Sequence, residues 1–143
     1  EGGEFGHGFT NSGHPSACAA ALATLKIMQR DTFTDHVSSD IGPYLQKQWT
    51  ALGDHPIVGH VRGVGMLGSI ELVRNKESRE RLEPGQKSGG VCREFCIENG
   101  LIMRAVGDSM IISPPFVSSH EEIDLLISRA KHSLDQTAEC YSV

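Results

Sequence analysis

Long apolar runs and basic clusters are both missing from this chain of 143 residues. No stretch approaches the roughly 20 apolar residues that a membrane-spanning helix needs, and the first residues lack a charged-then-apolar signal pattern. The net charge of -5 and the scattered lysines and arginines argue against nucleic acid, because a backbone-binding protein needs a concentrated basic stripe. We therefore expect a cytoplasmic protein with neither a membrane nor a nucleic-acid partner.

Cysteine is scarce, with four residues in the whole chain. Cys92 and Cys96 share a helix face, but no second pair of cysteines or histidines stands at metal-ligand spacing. We expect no metal, and free buried thiols in place of a disulfide framework. The histidines show no catalytic or metal spacing either. His7 and His14 flank Thr10, where we favour helix or loop capping, and the alternative is that they tune the surroundings of a bound phosphate. A surface position is expected for His36, His55, His60, His120 and His132.

The hydrophobic pattern predicts alternating helices and strands. Two long helices come first, at about 15–30 and 35–52, and Gly42-Pro43 is expected to kink or restart the second. Two strands are predicted next, at 57–61 and 66–73, followed by a charged, poorly ordered surface segment at 74–88. A helix is predicted at 88–99, ended by Gly100, and then a hairpin of 101–105 with 110–113. The last predicted helix begins at a Ser119–Glu122 capping box and is expected to fray from about Ala138.

This order of elements predicts a chain of the α/β class. The chain is expected to form an α+β domain, with a small antiparallel or mixed sheet and helices on one face of it. The second helix has the clearest amphipathic stripe, made by Val37, Ile41, Leu45, Trp49 and Leu52. The first helix is alanine-rich, with Leu22, Leu25 and Met28 on one face, and should pack closely against something large. We divide the chain into residues 1–52, the linking helices, and 53–143, a small C-terminal domain.

Residues 63–68 match a G-x-G-x-x-G pattern. A dinucleotide site needs a strand before that pattern and a helix after it, whereas here a strand follows. The glycines are better explained by a tight bend or bulge. Arg62, next to this segment, either braces a site or pairs with an internal carboxylate such as Glu71.

Residues 7–15 place one hydroxyl, that of Thr10, in a glycine-hinged turn ahead of a helix start. Gly8 and Gly13 allow close backbone approach, and Pro15 suits a first helical position. Thr10 can offer a hydroxyl and an amide N–H to an anion such as a phosphate. The alternative is an ordinary loop that caps a helix.

Four blocks of the chain, at 7–15, 58–66, 100–108 and 112–115, together resemble the class III pyridoxal-phosphate-dependent aminotransferases. Within that family the sequence is most similar to the pyruvate-linked omega-aminotransferases, in particular those that act on putrescine and other polyamines. The resemblance implies the C-terminal domain of a fold-type-I transferase, with pyridoxal 5'-phosphate as cofactor and amines and keto acids as substrates. It also implies a homodimer whose cofactor sites are shared between subunits.

The resemblance assigns roles to three residues. Thr10 is expected to bind the cofactor phosphate of the other subunit, and Phe9 to add its backbone N–H. Arg104 matches the arginine that swings into the active site to hold a substrate carboxylate, which its planar fork grips through both oxygens. Without the resemblance, Arg104 would be read as a solvated surface residue.

The Schiff-base lysine of the family lies a few tens of residues before the block that begins at His7. None of the five lysines here, Lys26, Lys47, Lys76, Lys87 and Lys131, lies in a matching motif. We therefore expect the C-terminal third of an enzyme, inactive alone and without catalytic residues of its own, whose complete form moves an amino group from an amine to pyruvate. The alternatives are a non-catalytic truncated paralogue or assembly module, and a class III enzyme that uses 2-oxoglutarate.

Overall fold

The computed structural model describes residues 8, 10–85 and 87–143. These residues form two compact units, one that ends at Thr34 and one that runs from Asp35 to Val143. The predicted division after residue 52 concerns the complete protein and stays a prediction. Within this chain, the helix that ends at residue 51 packs with the C-terminal unit.

The first unit contains helix α1, Pro15–Arg30, with Pro15 in its first turn. None of these sixteen residues, all of them described, is buried. Leu22 and Leu25 are 60% and 55% exposed. The small and apolar face that the sequence predicts is therefore present and open.

A second helical stretch runs from α2, Phe33–His36, through a π-helical turn, Val37–Ile41, into α3, Gly42–Ala51. The predicted interruption at Gly42-Pro43 thus takes the form of a π turn followed by a new α-helix. Glycine is required there, because a Cβ at Gly42 would overlap the Val37 carbonyl oxygen. The predicted stripe is confirmed: Ile41, Leu45, Trp49 and Leu52 are all buried, and Val37 packs against them.

Four strands form one antiparallel sheet in the order β1-β2-β4-β3. Their bounds are β1 Val58–Val64, β2 Leu67–Leu72, β3 Arg104–Val106 and β4 Ser109–Ile112. Residues 63–68 form the end of β1, a turn with Gly65 at φ 53°, and the start of β2. The glycine-rich segment is therefore a hairpin, as predicted, and not a dinucleotide loop.

Residues 101–103, predicted as strand, lie outside any strand, and Leu101 instead completes the end of helix α4, Ser88–Glu98. Gly100 adopts φ 72°, the Gly100 N–H donates to the Ile97 carbonyl, and the Leu101 N–H donates to the Cys96 carbonyl at 2.8 Å. This pair of bonds is a Schellman cap, in which a left-handed residue closes the helix. The predicted stop at Gly100 is confirmed, and the cap explains why β3 begins only at Arg104.

One face of the sheet is covered by helices. Gly68, Ile70, Leu72, Met110 and Ile112 are buried on that face. Helices α3 and α4 pack against it, and α5, His120–Cys140, packs on both of them. The predicted capping box is present, with the Glu122 N–H donating to the Ser119 hydroxyl at 3.2 Å and the Ser119 N–H donating to the Glu122 carboxylate at 2.8 Å.

The predicted fraying of the C-terminus is wrong. Helix α5 does not fray at Ala138, because Thr137 and Ala138 are buried and the helix continues to Cys140. The loop after β2 lies mostly at the surface, as predicted, but it is anchored and not poorly ordered: Leu82 is 3% exposed, and its carbonyl accepts a 3.0 Å hydrogen bond from Arg74. The Tyr141 hydroxyl donates to Glu83 at 2.9 Å and so ties this loop to the C-terminus.

Candidate functional site

Thr10 lies in an exposed turn just before α1. Its hydroxyl forms no hydrogen bond to any residue that the structure describes. Gly13, at φ 72°, turns the chain toward the helix, and the cap residue His14 makes no side-chain capping bond. Phe9 and His7, which the sequence places in the same segment, lie outside the described residues.

This geometry fits a phosphate group. An exposed hydroxyl with free hydrogen-bonding capacity can donate to a phosphate oxygen. The first turn of a helix adds backbone N–H groups and the positive end of the helix dipole. The residues present in the described part of the turn are therefore compatible with the phosphate of pyridoxal phosphate.

Arg104 is the first residue of β3, the strand at one edge of the sheet, and is exposed. It pairs with Ile111 of β4, while its neighbour Ala105 pairs with Met110 and turns toward the core. The Arg104 guanidinium makes no hydrogen bond or ion pair with another described residue. Its side chain is thus available on the face of the sheet that the helices leave open.

The strand order places three further residues in line with Arg104. Ile111 pairs with Ser69 of β2, and Ser69 pairs with Arg62 of β1. Residues that are paired across adjacent strands point to the same face. We call this line Arg62–Ser69–Ile111–Arg104 the arginine row.

A shallow groove of about 420 Å³ lies over the Arg62 end of the arginine row, and its lining includes Arg62, Leu67, Ser69 and Ile111 but not Arg104. The Ser69 hydroxyl is enclosed and has no hydrogen-bond partner among the described residues. Arg62 is exposed and forms no ion pair with Glu71 or with any other described carboxylate. Of the two sequence-based alternatives for Arg62, the ion pair with Glu71 is not formed among the described residues, and the other stays a prediction.

A second cavity, of about 550 Å³, lies over the neighbouring row of the same face. Its lining includes His60, Glu71, Arg79 and Asp108. Asp108 is 8% exposed and accepts a 2.6 Å hydrogen bond from the Ser88 hydroxyl. A buried carboxylate needs hydrogen-bond partners. The Ser88 hydroxyl provides one for Asp108, and this bond attaches the β3–β4 turn to the start of α4.

Cys92 and Cys96 are buried free thiols, as predicted, whereas Cys18 and Cys140 are exposed. The hydrogen bond that joins the two buried thiols raises the pKa of Cys92, and burial raises it further. The same bond lowers the pKa of Cys96 to about 7. Among the described residues, no group of three or more histidine, cysteine or acidic side chains is placed to hold a metal.

His55 is a correction to the sequence reading, because it is buried and not on the surface. Its Nε2 lies 3.1 Å from Asp135, and its Nδ1 faces the Ile57 N–H at 3.4 Å. The Nε2 contact joins the segment before β1 to α5, while the Nδ1 contact is local. This pairing spans 80 residues and has no local sequence signal.

Solved transaminases share this fold. A transaminase with L-alanine superposes with a TM-score of 0.86 at 37% identity, over 94% of this chain and 32% of that chain. The omega transaminase of Pseudomonas jessenii in complex with PMP superposes with a TM-score of 0.87 at 34% identity, over 96% and 30%. The fold is that of an α/β pyridoxal-phosphate-type transferase domain.

The chain belongs to the class III aminotransferase family, whose model matches residues 2–134. It is 54% identical over 138 residues to the putrescine–pyruvate aminotransferase of Pseudomonas aeruginosa, covering 96% of this chain and 30% of that protein. It is 37% identical over 142 residues to the diaminobutyrate–2-oxoglutarate transaminase of Halomonas elongata, covering 97% and 30%. The chain thus spans about a third or less of the length of these relatives.

No helix in the described part is long and apolar enough to cross a membrane.

Proposed function

We propose that the complete protein, in the cytoplasm, transfers an amino group from a primary amine or omega-amino compound of the putrescine class to pyruvate. The products are an aldehyde and alanine. The similarity to the putrescine–pyruvate enzyme supports the substrate class. The observation that carries the proposal is Arg104, a guanidinium on the open face of the sheet without a partner among the described residues.

Thr10 holds the cofactor phosphate, and the backbone N–H of Phe9 contributes to the same site. Bound pyridoxal phosphate supplies an electron sink for the carbon from which the amino group leaves. Thr10 does no bond-making chemistry. Its hydroxyl anchors a dianion and so fixes the orientation of the ring above the substrate carbon. Thr10 serves the cofactor of the partner subunit, which makes a homodimer necessary for activity.

Arg104 binds the carboxylate of pyruvate and alanine. Its planar fork donates two parallel hydrogen bonds to one carboxylate, which fixes the keto carbon relative to the cofactor. An amine donor has no carboxylate, and a fixed cation beside it would be unfavourable. Because no described residue holds the Arg104 guanidinium, the side chain can rotate away when an amine binds.

The 143 residues alone are inactive under this proposal, since none of their lysines lies in the cofactor-binding motif of the family. The test uses the complete protein with pyridoxal phosphate, putrescine and pyruvate, and measures alanine formation. Alanine that appears in proportion to the putrescine consumed supports the proposal. Absence of alanine with every primary amine tested would contradict it.

A further inference from the structure

We propose that the sulfur atoms of Cys92, Cys96 and Met103 form a binding site for one copper(I) ion. All three side chains belong to the hydrophobic core of the second unit. Arg104 and the open face of the sheet take no part, and neither the cofactor nor a substrate is needed. The site therefore goes beyond the proposed function and is tested separately from it.

Two cysteines of α4 and one methionine beyond its end place three sulfur atoms together. Cys92 and Cys96 are about one helical turn apart on the same face, and their thiols share a hydrogen bond. The Cys96 Sγ lies 3.7 Å from the Met103 Sδ. The exposed fractions of the three side chains are 1%, 0% and 3%. Met103 reaches the pair because the Schellman cap at Gly100 ends α4 and redirects the chain past Cys96.

The spacing of these sulfurs suits a bridging ion better than a disulfide. Side chains at positions i and i+4 of a helix have Cβ atoms about 5–6 Å apart, whereas a disulfide needs about 3.5–4.5 Å. An ion with three metal–sulfur bonds of about 2.3 Å in one plane holds its sulfurs about 4.0 Å apart. The 3.7 Å between Cys96 and Met103 is close to that separation. The ion therefore fits among the sulfurs without a cavity of its own.

The types of ligand select a soft ion. Thiolate and thioether sulfur favours copper(I), whereas zinc usually takes four ligands from cysteine, histidine and carboxylates. Among the described residues, no group of three or more histidine, cysteine or acidic side chains is placed to hold a metal. The sequence-based expectation of no metal concerned the same residue types. Met103 supplies a third ligand that lies outside them.

Two buried hydroxyls of α5 lie beside the thiols. Thr137 contacts the Cys92 thiol, and both residues are buried. Ser133 likewise contacts the Cys96 thiol. The two hydroxyls donate to carbonyl oxygens of their own helix at 2.8 and 2.7 Å, and rotation about one bond redirects each of them to a thiolate. The surroundings thus support the deprotonated, metal-bound form of both cysteines.

Binding exchanges thiol protons for a cation and changes no oxidation state. A coordinating thiol loses its proton outright, and that proton passes to water. The ion then accepts one electron pair from each thiolate and one from the thioether. A single negative charge remains on the cluster, and the two hydroxyls stabilise it. Because the sulfurs are enclosed, the ion enters only when α4 opens locally, and binding is measured after full equilibration.

The test titrates the complete protein, reduced and free of oxygen, with copper(I) in competition with the chromogenic chelator bicinchoninate. We expect the wild type to bind one equivalent more than Cys96→Ala. Met103→Leu nearly conserves volume and keeps the fold, and it should weaken that equivalent at least about tenfold. Met66→Leu, at a methionine that is 4% exposed, and Cys140→Ala, at an exposed cysteine, are the matched controls and should bind as the wild type does.

X-ray absorption at the copper edge provides a second measurement. Three copper–sulfur bonds of about 2.3 Å are expected in the wild type and two in Met103→Leu. Equal uptake of copper by the wild type and Cys96→Ala would overturn the proposal, and if Cys96→Ala does not fold, an unchanged affinity of Met103→Leu would do so. Displacement of the ion by an excess of zinc of about tenfold would also contradict a three-sulfur copper(I) site. No outcome here depends on amino transfer, so the proposed function stands or falls separately.

Discussion

The indole ring of Trp49 lies directly against Gly68, at the centre of the covered face of the sheet. A Cβ atom at Gly68 would lie 2.7 Å from the indole Nε1 and 3.0 Å from a side-chain carbon of Ile112. Both neighbours are fully enclosed, so neither can withdraw into solvent. This contact joins α3 to β2 and β4, and it sets the distance between the helices and the sheet.

Gly68→Ala should therefore destabilise the fold. Overpacking of an enclosed core costs about 1–3 kcal/mol, and we expect the free energy of unfolding to fall by that amount. Gly90→Ala is the control, because a Cβ there meets no atom within 4 Å and alanine is the better helix former. Denaturant unfolding of both variants checks this; equal stability of Gly68→Ala and wild type would show that the ring can move.

Features with a local period or a local cap could be predicted from the sequence. The stripe from Ile41 to Leu52 follows from helical spacing, and the capping box of Ser119 follows from two residues three positions apart. The stop at Gly100 follows from the freedom of glycine at positive φ. Each of these signals lies within one element, so the rest of the fold does not alter it.

Features that depend on strand order could not be predicted. The two arginines are 42 positions apart in the sequence, and only the insertion of β4 between β2 and β3 aligns them with Ser69 and Ile111. Residues 101–103 are apolar and predict a strand, but the Leu101 N–H is used by the Schellman cap of α4. The composition of the loop at 74–85 predicts low order, because its anchor, Tyr141, is distant in the sequence.

Tyr141 should make stability depend on pH in alkaline solution. Burial, with the carboxylate of Glu83, raises the pKa of its hydroxyl to about 12 from the usual 10.0. The folded state thus keeps a proton that the unfolded state releases above pH 10. Its contribution to stability is complete below pH 10 and is lost as the pH rises to about 12.

Tyr141→Phe removes this titration, so its thermal midpoint should fall less between pH 10 and 12 than that of the wild type. The variant should be the less stable protein at pH 8, where the hydrogen bond to Glu83 is intact in the wild type. Tyr44→Phe is a useful comparison, because the half-buried Tyr44 hydroxyl also donates to a carboxylate, that of Asp124 at 2.6 Å, and this bond raises the pKa of Tyr44 as well. Parallel pH profiles for wild type and Tyr141→Phe would contradict the prediction.

Thr10→Ala should weaken cofactor binding by the complete protein. Loss of one hydrogen bond to a charged phosphate costs about 1.5–3 kcal/mol, which corresponds to an increase of about 10- to 140-fold in the dissociation constant for pyridoxal phosphate. Thr10→Ser retains the hydroxyl and should bind nearly as the wild type does. Fluorescence titration of the cofactor-free protein measures both, and identical affinities for alanine and serine at this position would remove Thr10 from the phosphate site.

Arg104→Ala should separate the two halves of the transfer reaction in the complete protein. The half-reaction with alanine or pyruvate needs a carboxylate contact, and loss of that contact should raise KM by about 10- to 100-fold. The half-reaction with putrescine needs no such contact, so its rate constants should change less than about twofold. Because Arg104 is exposed at the edge strand and bonded to no described residue, its removal should leave the thermal midpoint unchanged. Stopped-flow spectra of the bound cofactor follow each half separately, and equal losses in both would show that Arg104 does not distinguish carboxylate substrates from amines.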